Sequence, residues 1–129
     1  MRILILGNGY PAERFFKLFS KNKDNIVFST MKNLNNYIDF VNSEDIKEFA
    51  LANEINLVLI IDEEYINEGL QEELSNLNIS AFAPSAEAIG ITVSKAVAKK
   101  FMHKIKIQTP KFFVAEKPQM ALDYLKTAQ

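Results

Sequence analysis

Three groups of residues have types and spacing suited to chemistry. Gly7-Asn8-Gly9 follows a short apolar run and precedes a helical pattern. Such a turn brings backbone N–H groups close to an anion at a helix N-terminus, where the dipole favours negative charge. Gly7 through Ala12 also fits the G-x-G-x-x-A variant of the dinucleotide fingerprint. Asp62-Glu63-Glu64 sits directly after another apolar run. Carboxylates at that point suit ribose hydroxyls, a substrate amine or Mg²⁺. Lys95 opens a basic stretch that also holds Lys99, Lys100 and Lys104. Coming after a loop, Lys95 is placed to reach a phosphate, whereas the other three suit a solvated helix face.

Composition narrows the chemistry. The chain has 129 residues, 48% of them hydrophobic, enough for one buried core. It has no cysteine, which excludes disulfides, thiolate-held metal clusters and thiol catalysis. His103 is the single histidine, so a His-based metal site or a Ser-His-Asp triad is not expected. The net charge of -1 argues against coating nucleic acid or an anionic membrane. With no signal-peptide layout and no apolar run near ~20 residues, the expectation is a soluble cytoplasmic protein.

The groups are positioned by alternating strand and helix patterns. Strands are expected at Arg2–Leu6, Ile26–Ser29, Tyr37–Val41, Leu57–Ile61 and Ile79–Ala83. Helices are expected at Ala12–Lys21, from Asn42 onward with Ile46, Phe49 and Ala50 inward, at Ile66–Asn76, at Ser85–Ile89 and at Val93–Lys104. Val93, Val97 and Phe101 are expected to face the core. A strand at Lys111–Ala115 and a helix at Pro118–Lys126 complete the reading. This order predicts an α/β fold, an open, mostly parallel, doubly wound sheet of about five strands. Ligands of such sheets lie at the carboxyl ends of the strands, here Gly7–Pro11, Ser29–Lys32, Ile61–Tyr65 and Ala83–Ser85.

Ile79–Met102, ISAFAPSAEAIGITVSKAVAKKFM, resembles the end of the N-terminal domain of ATP-grasp ligases, most closely the phosphoribosylamine–glycine ligase family. That family has Phe-Gly-Pro, an alanine-rich helix, Gly-Ser-Lys-Ala-Phe-Ala-Lys and a Phe-Met pair. Phe82, Pro84, Ser94, Lys95, Ala96, Ala98, Lys99, Phe101 and Met102 match in register. MRILILGNG is similar to the family's opening strand and turn, and EKPQMALDYLKT to the helix that starts its ATP-binding part. The resemblance implies a Rossmann-like pre-ATP-grasp domain over residues 1–104, with 105–129 leading into an ATP-grasp domain. It implies purine biosynthesis: glycine joined to phosphoribosylamine with ATP and Mg²⁺. Gly7, Asn8 and Gly9 would hold the ribose 5-phosphate, Glu63 the ribose or its amine, and Lys95 the ATP phosphates. Partners would be these small molecules and the C-terminal ATP-grasp domain, which would carry most of the ATP and Mg²⁺ contacts. Thr127-Ala128-Gln129 reads as a boundary within a longer protein, so this segment alone is not expected to turn over substrate.

The chain also departs from the family. Tyr10-Pro11-Ala12-Glu13 replaces Gly-Arg-Glu-His, Ser29-Thr30-Met31-Lys32 replaces Ala-Pro-Gly-Asn, and Val93 replaces a glycine. A non-catalytic sensing or interaction domain is the alternative those changes suggest. A nicotinamide-binding domain is a weaker one, because no carboxylate ends the second strand to hold a ribose 2′-hydroxyl.

Overall fold

The computed structural model describes residues 1–127. Ala128 and Gln129, part of the boundary read at the chain's end, lie outside the described residues. Among the described residues four parallel strands form one sheet: β1 (Arg2–Leu6), β2 (Ile26–Ser29), β3 (Leu57–Ile60) and β4 (Ser80–Phe82). Their order is β2-β1-β3-β4. β1 is therefore hydrogen-bonded on both sides, with Leu4 opposite Phe28 in β2 and Val58 in β3. The chain goes to one side of β1 first and returns to the other side later. The gap between the β1 and β3 ends is the switch point where such sheets open a crevice.

Side-chain alternation along β1 feeds two cores. Ile3 and Ile5 join Val27 and Leu59 under helix α1 (Gly9–Phe19), whose Ala12 is buried and whose Phe15, Phe16 and Phe19 pack alongside. Leu4 and Leu6 join Val58 and Ile60 on the opposite face. Covering that face are α2 (Ser43–Ala52) with Ile46 and Ala50, α3 (Glu63–Asn67) with Ile66, and α4 (Leu70–Asn76) with Leu70 and Leu74. The sheet is thus doubly wound, as the alternating pattern requires. Asn42 caps α2 by accepting the Asp45 N–H at 3.0 Å, and Glu44 and Asp45 suit its positive end. Lys47 ties α2 to α4 by bonding Glu44 at 2.7 Å and Glu73 at 2.9 Å. Those two hydrogen bonds raise the Lys47 ammonium above its ordinary value.

Several expectations are corrected. The third strand at Tyr37–Val41 is reduced to one bridge, Ser29 to Tyr37. The chain pairs with the outer edge of β2 only at its last residue, Ser29, and Phe40 then turns onto Phe49 at 5.5 Å between ring centres. The sheet accordingly has four strands rather than about five. The helix expected at Ile66–Asn76 is two helices, divided where Gly69 takes a left-handed φ of 79°. Lys111–Ala115 is not a strand.

The sheet lies in a unit spanning Met1–Ile89, and a second unit begins at Gly90. α5 (Ala86–Val93) crosses from one to the other and sends Ile89 into the sheet core. The second unit holds α6 (Lys95–Lys104) and α7 (Pro118–Thr127), neither of which buries a residue. Val93, Val97 and Phe101, expected inward, are 49%, 45% and 41% exposed. Their helical spacing marks an apolar face, but no core among the described residues receives it. Within this unit Phe113 stacks on Tyr124 at 4.4 Å, and Lys99 bonds the Thr109 hydroxyl.

The fully buried Leu4 lies in the central strand and has neighbours on both sides. Leu4→Ala is expected to cost about 3 kcal/mol in urea unfolding, a large share of a domain's stability. A loss below about 1 kcal/mol would contradict this core assignment.

Candidate functional site

β1 ends at Leu6 and the chain turns at once into α1. Gly7 takes φ 149° and Gly9 φ 76°, both in the region open to glycine. The two positions differ in space. A Cβ on Gly7 would lie 2.8 Å from the Ile61 Cβ and 3.3 Å from the Asp62 amide nitrogen, whereas one on Gly9 would meet nothing within 4 Å. Gly7 is therefore required by packing between the β1 and β3 ends. Gly9 is required only by its dihedral.

A cleft of about 490 Å³ opens beside this turn. Asn8 and Gly9 line it from the turn, Thr30 and Lys32 from the end of β2, Asp39 from the loop before α2, and Asp62 from the end of β3. It sits at the carboxyl ends of three neighbouring strands, as a ligand site in this architecture should. Tyr37 and Tyr65 also line it. Desolvation, then a hydrogen bond to Asp39 and that carboxylate's charge, push the Tyr37 phenol up. Partial burial pushes the Tyr65 phenol up, and the charges of Asp62, Glu64, Glu68 and Asp39 add to it. Both phenols are thus neutral hydroxyls at physiological pH, able to donate and accept. Lys32 brings positive charge to the cleft lining, and Asp39 and Asp62 bring negative charge.

The expected site residues are partly brought together. Asn8 and Gly9 line the cleft and Gly7 does not. Glu63 is the exposed first residue of α3 and does not line it. Its neighbour Asp62 does, while its carboxylate accepts the Glu64 N–H at 3.3 Å. Lys95 is the exposed first residue of α6 in the second unit, behind Ser94, whose hydroxyl accepts the Val97 N–H at 3.3 Å. Thr30, Lys32 and Tyr65 fall in the strand-end segments expected to carry a ligand, Ser29–Lys32 and Ile61–Tyr65, without having been singled out. Sequence reasoning missed Tyr37 and Asp39 as cleft residues. Reading Tyr37–Val41 as a strand concealed Tyr37 and Asp39.

Among the described residues no three His, Cys, Asp or Glu side chains converge as metal ligands. His103 lies edge-on to Phe112 at 6.4 Å between ring centres. No helix among the described residues is long and apolar enough to cross a membrane.

Fold and cleft define the class: a doubly wound parallel α/β domain with a cleft at the carboxyl ends of its strands. No protein-family model matches the chain. Curated proteins named phosphoribosylamine–glycine ligase do match it. The chain is similar to that of Fusobacterium nucleatum, 29% identical over 134 residues, covering 97% of this chain and 31% of that protein. It is similar to that of Caldanaerobacter subterraneus, 37% identical over 83 residues, 64% of this chain and 20% of that protein. A bifunctional purine biosynthetic protein of Saccharomyces cerevisiae is 31% identical over 88 residues, 68% of this chain and 11% of that protein. The chain thus spans about a third or less of the length of these relatives.

The two glycines should respond differently to substitution. Gly7→Ala is expected to cost about 2 kcal/mol or more in denaturant unfolding, since backbone at Asp62 or the rigid branch point of Ile61 must move. Gly9→Asn, in open space and at a φ that asparagine tolerates, should cost about 1 kcal/mol or less. Equal losses would contradict the distinction.

Proposed function

We propose that this chain is the N-terminal substrate-binding domain of an ATP-dependent phosphoribosylamine–glycine ligase, acting in purine biosynthesis in the cytoplasm. The observation that carries this reading is the similarity to proteins of that name over 97% of this chain but 31% of the relative. The cleft at the switch point agrees with it. Residues 1–104 form the pre-ATP-grasp domain in this reading, and 105–129 lead into the ATP-grasp part. That C-terminal part is the partner we assign to the apolar faces of α6 and α7, where Leu122 and Leu125 are 54% and 69% exposed.

In this reading the Asn8–Gly9 end of the turn meets the ribose 5-phosphate of phosphoribosylamine. Lys32 lies within the same cleft to balance its charge. Asp62 and Asp39 face the amine end, and Glu63, at the rim, reaches the sugar only when the ligand extends past Asp62. The cleft orients the amine for attack on an activated glycine, so its contribution is positioning. Lys95 meets ATP phosphates from the start of α6. ATP and Mg²⁺, when bound in the C-terminal part, supply the activation of the glycine carboxylate.

Millimolar ribose 5-phosphate should raise the melting temperature of this chain by a few degrees, since a ligand at about ten times its Kd adds roughly 1.4 kcal/mol. In the complete ligase, Lys95→Ala should weaken ATP binding and leave the melting temperature within about a degree, because an exposed lysine adds little to a core. No shift with ribose 5-phosphate would overturn the substrate assignment and favour the sensing or interaction domain. Unchanged ATP affinity would remove the role given to Lys95.

A further inference from the structure

Thr30 follows β2 and does two things at once. Its backbone N–H donates to the Ile5 carbonyl at 3.1 Å, extending the ladder between β2 and β1. Its hydroxyl accepts the Gly7 N–H at 2.9 Å and donates to the Gly7 carbonyl at 3.2 Å. One hydroxyl thereby satisfies both polar groups of Gly7. The half-buried side chain is β-branched, which restricts its rotamer and keeps the oxygen in place. On its other side Gly7 is closed in by Ile61 and the Asp62 amide.

We propose that Thr30 is the positioning residue of the glycine turn, holding the Gly7 peptide fixed and engaged with the protein. A ligand in the cleft then meets Asn8 and Gly9, not the Gly7 amide. This deepens the substrate-site reading above and rests on it for the identity of the ligand. The contact between Thr30 and Gly7 does not depend on that identity. The substitution of Ser29-Thr30-Met31-Lys32 for the family's Ala-Pro-Gly-Asn thus has a structural consequence. A hydroxyl here stands against the glycine peptide, and Lys32 places positive charge two residues further on.

The test compares Thr30→Val, which keeps the shape and loses the hydroxyl, with Thr30→Ser, which keeps the hydroxyl. Amide hydrogen exchange at Gly7, read by NMR, should speed up about tenfold or more in Thr30→Val relative to neighbouring β1 amides and stay near wild type in Thr30→Ser. Ribose 5-phosphate, titrated by calorimetry, should bind about tenfold more weakly to Thr30→Val, and Thr30→Ser should restore it. Unchanged Gly7 exchange in Thr30→Val overturns the proposal. So does unchanged affinity in that variant when the wild type binds. If the wild type does not bind ribose 5-phosphate, the substrate reading fails by itself, and Gly7 exchange alone decides the role of Thr30. Should Thr30→Val not fold while Thr30→Ser does, the hydroxyl is necessary to the turn and the proposal stands.

Discussion

The chain leaves its central strand through a gap that admits no side chain. At Gly7 the backbone passes so close to Ile61 and Asp62 that even a methyl group would collide. Much else follows from that approach. It brings the ends of β1 and β3 side by side and aims α1 across one sheet face. It also sets Asn8 and Gly9 at the mouth of a cleft whose other walls come from β2 and β3. Apolar burial of β1 holds the gap closed, because Ile3, Leu4, Ile5 and Leu6 are all fully buried.

The polar walls are built differently. Thr30, Lys32, Tyr37 and Asp39 come from segments after strands or between elements, where no periodicity constrains residue type, and Tyr65 comes from the short helix α3. They assemble because β2 stops at Ser29. The chain then crosses over the end of the sheet, makes one bridge at Tyr37 and drops Phe40 onto Phe49 before α2 begins. A longer third strand would have carried Asp39 along the sheet edge instead. Shortening that strand leaves the sheet narrower and the cleft more acidic.

These differences explain what was legible in the sequence. β1 and β3 were plain because continuous apolar runs such as RILIL and LVLI have few uses besides a buried parallel strand. Gly7 and Gly9 were plain as a turn, yet glycine alone does not say whether the need is space or dihedral. Tyr37–Val41 misled because apolar residues describe burial, and Phe40 obtains its burial from a helix and not from a neighbouring strand. Glu63 and Asp62 are adjacent in sequence, but α3 begins at Glu63, which turns that carboxylate outward and leaves Asp62 at the cleft. Thr30 lay in an expected strand-end segment, but its partner Gly7 could not be read until its hydroxyl was placed. Val97 and Phe101 were spaced for a buried face, and spacing identifies a face without identifying what covers it.

The contrast between the two units bears on cooperativity. Residues 1–89 have two apolar layers, whereas α6 and α7 bury none of their own residues. Unfolding enthalpy and heat capacity follow the surface exposed on melting. A calorimetric transition of this polypeptide therefore weighs the sheet unit heavily and its last forty or so residues lightly. The apparent size of the cooperative unit would be smaller than the chain, with helical signal from α6 and α7 fading on its own temperature scale. A single midpoint measured by one probe would describe the sheet and pass over the helices beyond Gly90.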